Sequence, residues 1–108
     1  MLDRIEVDKR SCALICPVLF DGRIEKIRMK RNNNIIYMCE ECETVWERLE
    51  DIVNQIYGPA PISGYMKQNG IDTKLFRKED WDKHVEHVGF LTLEEIEPLV
   101  KNISVDLI

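Results

Sequence analysis

The stretch Cys12-Ala13-Leu14-Ile15-Cys16-Pro17-Val18-Leu19, taken with Cys39-Glu40-Glu41-Cys42, decides how this chain is read. The four cysteines fall into two close pairs, with residues 17–38 between them. Two thiolates from one tight turn can face one ion, and two such turns complete a tetrahedron with metal–sulfur bonds of about 2.3 Å. The spacing therefore nominates Cys12, Cys16, Cys39 and Cys42 as ligands of one structural Zn2+ ion. The second pair has the regular C-x-x-C form. The first does not: Cys16-Pro17-Val18 opens a turn of Cys-Pro-x-Cys form, but Leu19 stands where its second cysteine belongs, so Cys12 has to serve from the other side. Two other readings stand beside this one. A disulfide framework suits an oxidising compartment, and a fold that has lost its metal would keep its cysteines as small buried hydrophobes.

Between the two pairs the sequence reads as a hairpin. Residues 23–30 form a strand with Ile27 and Met29 inward and Ile24 out of step; Arg31-Asn32-Asn33-Asn34 is a turn, and residues 35–38 return. A hairpin between two cysteine pairs is where a zinc ribbon places it. Thr44 and Glu47 have the spacing of a capping box, and Val45, Leu49, Ile52, Val53 and Ile56 recur at helical spacing, which predicts a helix over 45–57. Gly58 then serves as its C-cap, and Pro59-Ala60-Pro61 forbids continuation. Residues 59–73 read as loop. Trp81, Val85 and Val88 predict a short helix over 79–88, stopped by Gly89. Thr92 with Glu95, and Leu91 with Ile96, form a capping box and hydrophobic staple, with Pro98 ending that helix. Ile5 and Val7 mark a first strand, and Ile103, Val105 and Leu107 a last one. The expected fold is α+β: a zinc-ribbon-like hairpin packed on an amphipathic helix, with a mainly helical C-terminal part. It is one small domain, divided into a ribbon-like lobe over 1–58 and a C-terminal lobe over 59–108.

Composition narrows the function. The 108 residues carry a net charge of −5, with 44% hydrophobic and 32% charged side chains, which excludes both a disordered tail and a membrane span. The start, Met1-Leu2-Asp3-Arg4, is charged from its third residue and does not read as a signal peptide, so a cytoplasmic protein is expected. The charge is uneven. Bases predominate over residues 1–37, including Arg23, Lys26, Arg28, Lys30 and Arg31 in the hairpin. Acids gather after it, as Glu40, Glu41, Glu43, Glu47, Glu50 and Asp51. Such a segment repels phosphate backbones and attracts a basic protein surface. No phosphate loop, HExxH or nucleophile motif is present, so an enzyme is not expected. His84 and His87 would share one helix face as half a metal site, although such a pair more often forms an exposed polar face.

The run Cys16-Pro17-Val18, Gly22-Arg23-Ile24, then Tyr37-Met38-Cys39-Glu40-Glu41-Cys42 with Trp46 and Glu50-Asp51-Ile52, resembles a group of small bacterial zinc-ribbon proteins. Their pattern is CPxC, a hairpin, C-[DE]-E-C, a tryptophan and an acidic helix start. Gly89-Phe90-Leu91-Thr92 with Glu94-Glu95-Ile96 resembles their C-terminal segment. Many such proteins stand beside polymorphic toxins. The resemblance therefore implies an immunity protein, including the contact-dependent growth inhibition type, that binds and neutralises a cognate toxin domain, with the six acids as candidate contacts. No membrane or nucleic-acid partner is expected on that reading. The alternative is a nucleic-acid-binding or adaptor zinc ribbon, resting on the basic hairpin.

Overall fold

The computed structural model describes residues 2–56, 61–100 and 102–108. The hairpin between the cysteine pairs is present as β2 (Ile24–Met29) and β3 (Ile35–Cys39), antiparallel, with Ile27 opposite Ile36 and Ile24 opposite Cys39. Asn33 takes a φ of 62° in the connecting turn, a left-handed conformation that asparagine tolerates better than most residues. A two-residue strand, β4 (Val45–Trp46), pairs with β3, and β5 (Val85–Phe90) pairs with β2. The resulting antiparallel sheet runs β4-β3-β2-β5. The first strand, β1 (Arg4–Val7), lies parallel to the last, β6 (Ser104–Leu107). Among the described residues, four short helices complete an α+β fold: α1 (Leu49–Val53), α2 (Ile62–Gln68), α3 (Lys78–His84) and α4 (Leu93–Ile96).

Side chains alternate across a strand, and here both faces of the sheet are covered. That is why Ile24 is out of step with Ile27 and Met29. Ile24 joins Ile5, Val7, Leu14, Cys16, Cys39, Trp46, Ile52, Leu91 and Ile96 on one face. Ile27, Met29, Ile36 and Val45 meet Ile62, Tyr65 and Met66 of α2 and Val85 of β5 on the other. Each large apolar side chain fully withdrawn from water contributes roughly 1.5–3 kcal/mol, so the sheet is held from two sides. The cysteines belong to the first of these clusters.

Several expectations are corrected. The helix predicted over 45–57 is shorter: Val45 and Trp46 are strand, and only Leu49–Val53 is helical. Thr44 is not its cap; it is buried, its hydroxyl beside the Cys42 sulfur. Pairing to β3 buries Val45 and Trp46 on opposite faces, which no single helix face achieves. The expected Gly58 cap and residues 59–60 lie outside the described residues. The loop predicted to run on to residue 73 contains α2, whose Ile62, Tyr65 and Met66 are buried at helical spacing. The helix predicted over 79–88 stops at His84 and becomes β5, because the free edge of β2 takes the chain into the sheet. At the last helix the staple is present: Leu91 and Ile96 are both fully buried in one cluster, and a 3-10 turn at Glu97–Leu99 carries Pro98.

Candidate metal centre

Two turns of similar backbone plan flank the hairpin. In the first, the Phe20 N–H donates to the Cys16 carbonyl at 2.9 Å. In the second, the Glu43 N–H donates to the Cys39 carbonyl at 3.1 Å. Each turn reverses through a non-glycine residue at positive φ, Phe20 at 53° and Glu43 at 58°. The cysteine N–H closes each one, Cys16 onto the Gly22 carbonyl and Cys39 onto the Thr44 carbonyl, both at 3.0 Å. Proline is at home in the second position of such a turn, where no N–H is needed, and Pro17 occupies it. Because Ile24 pairs with Cys39, the turn before β2 and the turn after β3 lie side by side. They touch closely at Gly22, which has a φ of 72°; a Cβ there would fall 2.5 Å from Glu41 Cγ.

This arrangement gathers Cys16, Cys39 and Cys42, whose sulfurs lie within 4.8 Å of one another, close enough to hold a metal ion. The Cys16 and Cys42 sulfurs are 3.7 Å apart. That is far beyond a disulfide bond of about 2.05 Å and close to the edge, about 3.8 Å, of a tetrahedron with bonds of about 2.3 Å. Cys16 and Cys39 are fully buried, whereas Cys42 is partly exposed. The Cys42 N–H donates to the Cys39 sulfur at 3.4 Å, and the Thr44 hydroxyl lies 3.1 Å from the Cys42 sulfur. Burial pushes the Cys39 thiol up to about 12 and raises that of Cys16. Burial opposes ionisation at Cys42 as well, but hydrogen bonds with Thr44, Cys39 and Cys16 outweigh it and lower that thiol. Binding a divalent cation would reverse the preference of the buried pair, since a coordinated thiol is deprotonated outright.

Cys12, nominated as the fourth ligand, is not in the group. It is exposed, at a φ of 62°, in a turn where its N–H donates to the Asp8 carbonyl at 2.8 Å. The residue that matches Cys42 in the first turn is Leu19, three positions after Cys16 as Cys42 is three after Cys39. It is 63% exposed. The Cys16-Pro17 dipeptide carried that signal, and the C-x-x-x-C spacing of Cys12 and Cys16 obscured it. Thr44, read as a helix cap, belongs to the centre. The histidines do not form a pair: His84 closes α3 and stacks on Phe76, while His87 lies in β5 with Nδ1 3.6 Å from a Glu25 oxygen.

The charged side chains sort unevenly. Every base of the hairpin is engaged within the protein. Arg23 makes a two-pronged pair with Glu40, at 2.7 and 3.1 Å, and lies over the Phe90 ring. Lys26 meets Glu95 at 2.8 Å, and Arg28 meets Glu86 and Asn33. Lys30 donates to the Asp82 carbonyl and Arg31 to the Asn69 carbonyl. Among the six acids, Glu40 is taken by Arg23, which holds its carboxyl below the usual carboxylate range, and Asp51 is paired with Arg48 at 3.2 Å. Glu41, Glu43, Glu47 and Glu50 are exposed and make no ion pair among the described residues. They lie along the second turn and the run into α1.

Comparison with family models, with curated proteins and with solved structures finds no match for this chain. Among the described residues, no helix is long and apolar enough to cross a membrane.

Proposed function

We propose that this chain is a non-enzymatic binding protein, built as a zinc ribbon with three protein thiolates, that presents an acidic surface to a basic protein partner. One observation carries the reading: carboxylates hold Arg23, Lys26 and Arg28 of the hairpin, while Glu41, Glu43, Glu47 and Glu50 of the following segment make no ion pair among the described residues. A nucleic-acid-binding ribbon needs free cations to displace counterions from phosphates, and Arg23, Lys26 and Arg28 are each already held by a carboxylate. Glu41, Glu43, Glu47 and Glu50 stand ready for a basic surface, where electrostatics sets the association rate and the choice of partner. The zinc ion would fix the turn from which these acids project, so they lose less freedom on binding than a flexible acidic tail would. Toxin domains that act on nucleic acid are basic because they approach phosphates, and the resemblance of the cysteine–hairpin pattern to immunity proteins makes such a domain the partner we favour.

The experiment is co-expression with the toxin domain encoded nearest this gene, followed by purification of the pair. The reading expects growth to be rescued, a stoichiometric complex, and slower association when Glu43, Glu47 and Glu50 are reversed to lysine. Both proteins soluble without rescue or complex would overturn it. Titration of labelled DNA or RNA separates the alternative: tight binding with a steep negative salt slope would favour nucleic acid.

A further inference from the structure

We infer that the metal centre has an open fourth coordination position on the Leu19 side, where a small exogenous thiol binds the ion. This rests on the reading that Cys16, Cys39 and Cys42 hold a metal. The two turns share the hydrogen bond from the fourth residue on to the cysteine carbonyl, and that residue is left-handed in both, so the fourth sulfur of a closed site would come from position 19. Leucine has no donor, and with 63% of its surface in water it does not seal the corner. No imidazole or carboxylate of the described residues joins the three sulfurs, and Cys12 lies outside the group.

Structural zinc sites are closed by four protein ligands, while sites with three keep a position for water or substrate. This centre has the second form on a scaffold of the first. Access is one-sided, because Cys16 and Cys39 are fully buried and only Cys42 reaches the surface. Small and soft donors suit such a position, since thiolate matches the ions that three thiolates select. Binding is a ligand exchange: the thiol gives its proton to solvent, its sulfur bonds the ion, and the displaced water leaves. No electron is transferred.

Cobalt(II) makes this visible, because its tetrahedral spectrum reports the number of sulfurs bound. The full chain, stripped of metal, is loaded with one equivalent of cobalt(II) and titrated with 2-mercaptoethanol; wild type, Leu19→Cys and Cys12→Ser are compared. The wild type should gain about one third in sulfur-to-cobalt charge-transfer intensity, as three bonds become four. Leu19→Cys should start at the higher intensity and not respond, and Cys12→Ser should respond as the wild type does. A thiol-insensitive wild type that already shows four sulfurs overturns the open position, as does one in which Cys12→Ser removes the fourth. A wild type that takes up no cobalt overturns the metal reading itself. The wild-type titration stands alone if Leu19→Cys does not fold.

Discussion

Taking the ion out of the zinc-loaded chain should lower its melting temperature by on the order of 10–30 °C. Two routes give the same size. An ion held by the three thiols would tie Cys16 to Cys39 across the hairpin, and the chain-entropy cost of closing a loop of that length corresponds to about 3.5 kcal/mol. By mass action, free zinc at about 100 times its dissociation constant stabilises the folded state by about 2.7 kcal/mol. Each kcal/mol moves the midpoint of a domain this small by roughly 4–8 °C. The assay is thermal unfolding followed by circular dichroism, with and without excess chelator, on protein whose zinc content is measured first. Amide exchange locates the effect: Phe20 and Glu43, whose N–H groups close the two turns, should lose protection before Ile27 and Ile36 on the opposite face do. If protein holding one equivalent of zinc melts within about 2 °C of the chelated form and its turn amides exchange unchanged, the ion is not a structural tie and the reasoning fails.

The structure makes three further predictions. Cys42→Ser should abolish stoichiometric zinc retention while Cys12→Ser retains it, because Cys12 is exposed and outside the sulfur group; zinc analysis after gel filtration against a weak chelator decides. Zinc affinity should rise with pH and fall on acidification, since Cys39, held up to about 12, and Cys16, raised by burial, must surrender protons to bind; a chelator competition series between about pH 6 and 8 should give a slope of about two to three decades per pH unit, and a flat profile would contradict thiol ligation. Gly22→Ala should cost about 1–3 kcal/mol, through the strained φ of 72° and the collision with Glu41 Cγ, as read by chemical denaturation.

The strands of the hairpin were legible because their signals are local. Alternation placed Ile27 and Met29 together, and three successive asparagines marked the turn. Even Ile24, out of step, carried information: it shows that the second face of the sheet is covered too. The misreadings arose where distant partners overrode local period. Trp81, Val85 and Val88 fit a helix, yet residues 85–90 complete the sheet because β2 offers an edge, and Val88 ends half in solvent. Val45 and Trp46 continue a helical pattern into Leu49, but their pairing to β3 lies outside any window of neighbours. At the centre, three of the four nominated cysteines converge. The fourth was chosen by spacing alone, and spacing says nothing of the left-handed turn that faces Cys12 away. That Leu19 mirrors Cys42 becomes visible only when Phe20 and Glu43 are seen to donate alike to the Cys16 and Cys39 carbonyls.

The outer strand of the sheet bears on how these molecules behave in a crowd. β5 is an edge strand, exposed over most of its length, and a regular edge invites the same strand of another molecule to add to it. Here the register slips: Lys26 faces Gly89 while Ile27 faces His87, so Val88 is an extra residue in a bulge, and Gly89 at a φ of 151° bends the chain. A newcomer strand would find donors and acceptors out of step at that point. The irregularity that weakens the hold of β5 on β2 thus also guards against edge-to-edge aggregation. Deleting Val88 would straighten the strand and leave its edge open to stacking by another copy.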